Sequence, residues 1–197
     1  GNISISGNTA NITTVAAGGH VYITGKANTI TTNNGVMHVS GYSNTIANSG
    51  TIHMSGQTNT VSTSNGPLYI SGANTVTTSH GAVHMSGVST ITTSNGDIYA
   101  TGANLSIDTV ANGAKAYITG TSSTISSNAG TVYATGNTTN ITNNNGGQVY
   151  ATGLTTNITT NNGTVRISGL TSTITTVANG GKVYMSGATN TVTTNNG

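Results

Sequence analysis

The chain has 197 residues, and only 3% of them are charged, where about 25% is usual for soluble domains. It contains no Cys, Trp or Phe and a single Pro, which excludes a disulfide scaffold. The four basic and two acidic residues are too scattered to form a nucleic-acid-binding stripe, and no apolar run is long enough to span a membrane.

A short unit is repeated along the whole chain. Each unit carries a Ser/Thr-Gly pair, with one segment of alternating apolar and polar residues before it and a second one after it. The spacing of 15 to 18 residues is typical of a solenoid. In chain order, the glycines of these pairs are Gly7, Gly25, Gly41, Gly56, Gly72, Gly87, Gly102, Gly120, Gly136, Gly153, Gly169 and Gly187.

The fold predicted from this repeat is all-β. Each column of equivalent residues keeps its chemistry from unit to unit, as in parallel, in-register strands about 4.8 Å apart. We therefore predict one β-solenoid (parallel β-helix) domain over residues 1–197. It has about twelve coils, two short strands per coil and a thin aliphatic core.

The predicted core contains three aliphatic residues per coil. The first strand points pairs such as Val21/Ile23 and Leu68/Ile70 inward, and the second contributes one column from Ile12 to Val192. A polar inward column beside it should form an amide ladder along the axis; its members are Asn28, Asn44, Asn59, Asn74 and Asn190, with Ser89, Ser123 and Ser172 as substitutes.

Turns between the strands are rich in glycine. The Asn-Gly and Gly-Gly pairs are expected to adopt positive φ. Three turns are longer, and in these we expect Val15, Val110 and Val177 to point inward at bulged corners.

One outward face of the predicted solenoid carries a Thr-x-Thr pattern. Threonine also suits an exposed strand because it is β-branched and polar, so the pattern favours either a binding face or simple sheet stability. Ala47 and Asp108 interrupt it. The candidate binding residues are Thr29, Thr31, Thr60, Thr75, Thr77, Thr90, Thr92, Thr173, Thr175, Thr191 and Thr193.

The other outward face carries a column of Tyr and His, beside an unbroken Ser/Thr column from Ser6 to Ser186. A row of exposed rings indicates either a lateral interface with another molecule or stacking that only stabilises the sheet. The stripe consists of Tyr22, His38, His53, Tyr69, His84, Tyr99, Tyr117, Tyr133, Tyr150 and Tyr184.

These surfaces resemble those of known families. Thr-x-Thr arrays on a β-solenoid resemble insect and bacterial ice-binding proteins. The sequence pattern NTV…SG…NTV is similar to plant ice-binding repeats. A Thr array together with a tyrosine ladder resembles bacterial ice-nucleation proteins. Asn-rich repeats with almost no charge resemble secreted functional amyloids of the curli kind. The resemblance covers the whole chain as an architecture and implies an extracellular or cell-surface location.

Catalytic and metal-binding chemistry is not predicted. His38 and His53 have neither carboxylate nor thiolate beside them to complete a metal site. Asp97 and Asp108 fall on different strands and should face opposite sides, which excludes a carboxylate pair. We predict no cofactor, but charging the column histidines should make assembly pH-sensitive.

Both ends of the chain match the repeat, so no terminal cap is expected. Ile3 and Ile5 at one end, and Val192 and Thr193 at the other, are then available for end-to-end assembly. We hypothesise a homopolymeric filament whose copies add β-strands end to end and also associate laterally. The alternative is ice binding through the Thr-x-Thr face, and a weaker one is the stalk of an adhesin or phage fibre.

Overall fold

The computed structural model describes residues 1–197, with every side chain except those of Asn48 and Thr63. The chain forms two parallel twelve-stranded sheets, here named sheet A and sheet B. Successive strands alternate between the sheets, so each coil contributes one strand to each, and twelve coils stack into a β-solenoid. No helix occurs in the described part of the chain. The predicted fold class is therefore confirmed.

Sheet A contains the odd-numbered strands, three or four residues long. We number coils 1 to 12 by these strands. They are β1 (Asn2–Ile5), β3 (His20–Ile23), β5 (Val36–Val39), β7 (Thr51–Met54), β9 (Leu68–Ile70), β11 (Val83–Met85), β13 (Ile98–Ala100), β15 (Lys115–Ile118), β17 (Thr131–Ala134), β19 (Gln148–Ala151), β21 (Thr164–Ile167) and β23 (Lys182–Met185).

Sheet B contains the even-numbered strands, which follow in the same coils. They are β2 (Asn11–Val15), β4 (Thr29–Asn33), β6 (Thr45–Asn48), β8 (Thr60–Ser64), β10 (Thr75–Ser79), β12 (Thr90–Ser94), β14 (Leu105–Val110), β16 (Ser122–Asn128), β18 (Thr138–Asn144), β20 (Thr155–Asn161), β22 (Thr171–Val177) and β24 (Thr189–Asn195).

The core lies between the two sheets and follows the predicted columns. Equivalent residues pair directly, as in Val21 with Met37 on sheet A and Ile30 with Ile46 on sheet B. All four of these side chains are buried. The predicted inward turn valines Val15, Val110 and Val177 are buried as well. Each coil thus covers the apolar side chains of its neighbours, which is how a solenoid obtains its stability.

The repeated glycine of the Ser/Thr-Gly pair has a packing cause. A Cβ atom on Gly25 would collide with the carbonyl oxygen of Gly7, and one on Gly41 would collide with that of Gly25. The same holds for each later member of this glycine column, the twelve glycines given above. Gly7 differs, because an added Cβ there has no atom within 4 Å. Close stacking of the backbone at this corner therefore requires glycine in coils 2–12.

The conformation of the other corner corrects part of the turn prediction. In the longer turns Gly18, Gly113 and Gly180 have φ of 75°, 87° and 87°, as expected for the third residue of a β-turn that needs positive φ. The glycines of the short Asn-Gly turns, such as Gly35 and Gly66, are not among the residues with positive φ. They are required because a Cβ there would strike the backbone of the preceding coil.

Candidate interaction surfaces

The ends of the stack uncover the core columns. Ile3 in coil 1 is 40% exposed and Val192 in coil 12 is 41% exposed, whereas equivalent residues between them, such as Val21 and Ile174, are fully buried. Thr193 is exposed on sheet B, and Ile5 is half-buried. A depression of about 570 Å³ at coil 12 includes Val192 in its wall. The four residues predicted for end-to-end assembly therefore lie at the two terminal surfaces.

The Tyr/His column forms a continuous stack on the outer face of sheet A, which we name the aromatic ladder. Nine successive rings from Tyr22 to Tyr150 have centroids 4.7–5.2 Å apart and planes within 11° of parallel. The Arg166 guanidinium continues the stack, 5.6 Å from the Tyr150 centroid and 5.0 Å from that of Tyr184. This arrangement combines ring stacking with cation–π contacts.

Ser4 and Tyr42 lie near the ladder but are not part of its stack of rings. Ser4 occupies the ladder position in coil 1, because it pairs with Tyr22. Tyr42 is an exposed tyrosine outside the ladder. It lies at the glycine corner, with the Lys26 ammonium 5.7 Å from its ring centroid.

A groove runs beside the ladder along the solenoid axis. Its volume is about 520 Å³ over coils 2–7, and a second stretch follows at coils 10–12. The ladder forms one wall, and the exposed Ser/Thr column, which we name the hydroxyl column, forms the other. Ser55 and Ser71 are typical members of that wall. Sheet A therefore presents a ridge and a groove side by side.

Histidines are concentrated in the first half of the ladder. The ring centroids of His38 and His53 are 4.9 Å apart. The pKa of His38 is lowered from its usual 6.5, first by burial and then by the positive charges that His53 and His20 would carry. The neutral form of the His38 imidazole is therefore favoured.

The threonine face, the outer surface of sheet B, is wider than predicted. The residues of the Thr-x-Thr pattern point outward, with Thr29, Thr75 and Thr92 exposed. A third column follows directly, in which Thr78 pairs with Thr93. The sequence shows it as the second threonine of each Thr-Thr pair, and strict period-2 alternation would have placed it inside. Asp108 interrupts the second column, whereas a register shift in coil 3 pairs Ala47 with Thr63 and so places Ala47 in the third column.

Buried side-chain amides connect the coils from within, as predicted for the first inward polar column. Asn28 Nδ2 donates to Asn44 Oδ1 over 3.0 Å, and the ladder continues to Asn59 over 2.9 Å and to Asn74 over 3.0 Å. Asn190 occupies this column in coil 12, where it pairs with Ser172, but it is exposed and its Nδ2 donates to the Gly187 carbonyl oxygen rather than to another amide of the ladder.

A second amide ladder lies at the opposite corner and was not predicted. Asn128 Nδ2 donates to Asn144 Oδ1 over 2.9 Å, and Asn144 Nδ2 donates to Asn161 Oδ1 over 2.7 Å. Its signal in the sequence was the polar residue just before each short turn. In coils 8–11 four buried hydroxyls of the first column have no hydrogen-bonding partner among the described protein groups: those of Ser123, Thr139, Thr156 and Ser172.

The few charged residues do not converge on one site. Asp97 Oδ1 accepts a hydrogen bond from the Lys115 backbone N–H over 2.9 Å at the edge of sheet A, while Asp108 is exposed on sheet B. Within the described residues, no three His, Cys, Asp or Glu side chains form a group that could hold a metal ion. No helix in that part of the chain is long and apolar enough to cross a membrane.

Comparison with known proteins gives no family assignment. No protein-family model, no curated protein and no solved structure matches the chain. The surfaces of the solenoid are therefore the only features from which a function can be inferred.

Proposed function

We propose that this chain is a subunit of a self-assembling structural filament, in which copies stack end to end by β-strand addition. The observation that carries the proposal is that coil 1 and coil 12 expose core columns in the same positions of the cross-section. One inward column of sheet A begins with Ile3, which pairs with Val21. The same column ends with Val183, which pairs with Val165. A second copy continuing this column would place its Ile3 on Val183.

The same continuation applies to the other columns and to the backbone. Ile5 would follow Met185, and Ile12 would follow Val192, so the half-exposed apolar side chains at both ends would become buried. The edge strands of coils 1 and 12 would gain the parallel hydrogen bonds that internal strands make. This contact joins unlike ends and does not close, so it generates a filament rather than a ring.

The sparse charge of the chain supports this assembly. With charged residues at 3% of the sequence, little electrostatic repulsion opposes contact between copies. A filament that continues the solenoid would have an axial repeat of about 57 Å for each copy of twelve coils, at a strand spacing of about 4.8 Å.

The glycine column provides a sharp test. An Ala at Gly7 meets no atom within 4 Å in the single chain, so Gly7→Ala should fold and melt like the wild type. In a filament, Gly7 would stack on Gly187 of the preceding copy, where a Cβ collides with a carbonyl oxygen as it does elsewhere in the column. We expect electron micrographs of the wild type to show filaments and those of Gly7→Ala to show short rods.

Asn8→Ala is the matched control, because Asn8 is exposed and lies next to Gly7 but outside the glycine column. This variant should still form filaments. If Gly7→Ala forms filaments as long as those of the wild type, the end-to-end stacking proposed here is wrong.

The proposal includes an extracellular or cell-surface location. It is supported by the resemblance to secreted amyloid and ice-binding repeats. Immunogold labelling of intact cells that produce the protein should decorate their exterior. Labelling that appears only after the cells are broken would contradict the location while leaving the assembly proposal open to its own test.

Ice binding through the threonine face is the second candidate function. The favouring observation is the presence of three adjacent hydroxyl-bearing columns on one sheet. Replacing Thr75 and Thr90 together by Tyr should abolish thermal hysteresis, since bulky rings would interrupt a flat array. The control is the double change of Ser71 and Ser86 to Tyr on the opposite sheet. Hysteresis unchanged by the threonine substitutions would exclude this face.

A further inference from the structure

The outer face of sheet A carries a ridge and a groove that run parallel to each other for most of the solenoid. The ridge is the aromatic ladder, and the groove lies between it and the hydroxyl column. We propose that two copies of this chain pair laterally, with the aromatic ladder of each lying in the groove of the other. This interface goes beyond end-to-end stacking, because it uses a different surface and does not depend on the terminal coils.

Symmetry selects the orientation of the two copies. A two-fold axis parallel to the solenoid axis reverses the strand direction between the facing sheets, and it thereby places each ridge opposite the partner's groove. A two-fold axis along the strands would instead set ridge against ridge. The pair is therefore parallel, and each coil packs beside the same coil of its partner. Such an isologous contact is self-complementary and closes as a dimer.

Side-chain size fits this interdigitation. The ladder consists of large rings, whereas the hydroxyl column that flanks the groove consists of Ser and Thr alone, from Ser6 to Ser186. Large and small columns would alternate across the contact, as they do in the dry interfaces between paired sheets. The stacked rings cover each other's faces, so their exposed edges and the tyrosine hydroxyls are what a partner meets.

The available area is sufficient for a stable dimer. Twelve strands about 4.8 Å apart give a face roughly 53 Å long, and the five residues from the position of His20 to that of Thr24 in the hydroxyl column give a width of about 16 Å. Each copy then contributes roughly 850 Å² of flat sheet, close to the 800 Å² per partner of a standard interface.

Charge varies along this face in a way that makes the pairing depend on pH. In coils 2–6 the ionisable side chains facing outward from sheet A are those of Tyr22, Tyr69 and four histidines, and Lys26 and Tyr42 lie beside them at the glycine corner. The other charged residues of this face occur in coils 7–12. Because like coils meet, protonation would bring imidazolium groups of both copies together. The histidines concerned are His20, His38, His53 and His84, and the charged residues are Asp97, Lys115, Arg166 and Lys182.

Sedimentation of the Gly7→Ala variant tests the pairing separately from filament growth. At pH 7.5 we expect twice the 19.5 kDa chain mass, and at pH 5 the single-chain mass. Ser71→Lys, which places a charge in the groove without touching the ladder, should give only the single-chain mass at pH 7.5. Thr77→Lys on the opposite sheet is the control and should remain dimeric.

If Gly7→Ala still forms filaments, the widths of the filaments are compared instead of the masses. Ser71→Lys should reduce the filament width to that of one solenoid, and Thr77→Lys should leave it unchanged. A single-chain mass or width for the parent protein at pH 7.5 would overturn the lateral pairing. The lateral pairing would also be overturned if Thr77→Lys abolished the dimer while Ser71→Lys left it intact.

The parallel orientation has its own readout. The chain has no cysteine, so single Gln57→Cys and Leu154→Cys variants, at exposed positions of the glycine corner outside the groove, can each carry one nitroxide label. In a parallel pair both positions should report the same distance between copies, because coil 4 meets coil 4 and coil 10 meets coil 10. Two unequal distances would show an antiparallel pair and overturn the proposed geometry.

Discussion

Asn59 occupies the centre of the first amide ladder and makes four hydrogen bonds through its side chain. Its Oδ1 accepts from the Asn44 backbone N–H and from Asn44 Nδ2, each over 2.9 Å. Its Nδ2 donates to Gly41 O and Asn74 Oδ1, each over 3.0 Å. Every one of these groups is buried, and removal of the Asn59 side chain leaves the Asn44 backbone N–H and the Gly41 carbonyl oxygen without these partners.

Asn59→Ala should therefore lower the free energy of unfolding by about 2–3 kcal/mol or more, because several buried donors and acceptors lose their partners at once. Thermal and urea denaturation followed by circular dichroism would measure it. Asn65→Ala is the control, since Asn65 is exposed and makes one long side-chain contact of 3.4 Å. Equal stability of the two variants would contradict a structural role for the ladder.

His38 should make the stability of the fold depend on pH. Its pKa is lowered in the folded state by burial and by His53 and His20, so the unfolded chain binds a proton more readily. Its contribution to stability is then fully present above the unfolded pKa of about 6.5 and is lost as pH falls through the folded pKa. The melting temperature should fall between pH 7.5 and pH 5.

His38→Tyr keeps a stacking ring and removes this titration, so its melting temperature should vary less over the same pH range. His80→Gln, in an exposed turn outside the ladder, is the matched control and should melt with the wild-type pH dependence. A His38→Tyr protein with an unchanged profile would place the pH sensitivity elsewhere in the chain.

For single residues, the sequence predicts the columns within the strands well, but it predicts residues next to turns and in the last coil poorly. The first amide ladder could be predicted because Asn recurs in one position of adjacent coils. The second could not, because Asn33 and Asn128 share their column with Ser and Val, and a residue next to a turn is readily assigned to the turn. Asn190 is exposed because no described strand covers coil 12 on its outer side.

Among the elements, the glycine corner gives the strongest constraint on how the strands stack. The two strands of each coil meet there, and the backbone of one coil lies against the carbonyl oxygen of the previous coil. Gly56→Ala places a methyl group on the Gly41 carbonyl, and backbone cannot move aside as a flexible side chain would. We expect a loss of about 3 kcal/mol in the free energy of unfolding, at the upper end of overpacking costs.

Gly7→Ala is the control for this prediction, because it makes the same chemical change in the same column with no atom in the way. Denaturation of both variants under identical conditions would give the comparison. If Gly56→Ala is as stable as Gly7→Ala at a concentration where neither assembles, the corner is less tightly packed than its geometry indicates.

Strand existence could be predicted from the alternating pattern, but strand length could not. Sheet B strands have four or five residues in coils 1–6 and seven in coils 8–12. The local sequence does not explain the difference, because GATNTV in coil 12 resembles GKANTI in coil 2. In coil 2 Ala27 has a φ of 56° and interrupts the strand, whereas in coil 12 the strand runs from Thr189 to Asn195. Neighbouring coils therefore decide the conformation of this corner.

For the whole molecule, the fold could be predicted because a stack of similar coils has one simple solution, with like residues above each other. The partner of each surface could not be predicted in the same way. A threonine or a tyrosine that repeats along a sheet satisfies the stacking requirement whether or not anything binds to it. The end surfaces, the ladder face and the threonine face consequently need separate experiments, each with a control on another face.

The distribution of ionisable groups along the solenoid has an electrical consequence. All five histidines precede Asp97 and so belong to coils 1–6, where Lys26 is the only other basic side chain. Protonation of all five histidines would therefore raise the side-chain charge of that half from +1 to +6, while coils 7–12 stay near +1. The rod would acquire a large dipole moment along its axis. In a filament of head-to-tail subunits these dipoles would add, and such filaments should align in an electric field at pH 5 far more strongly than at pH 7.5.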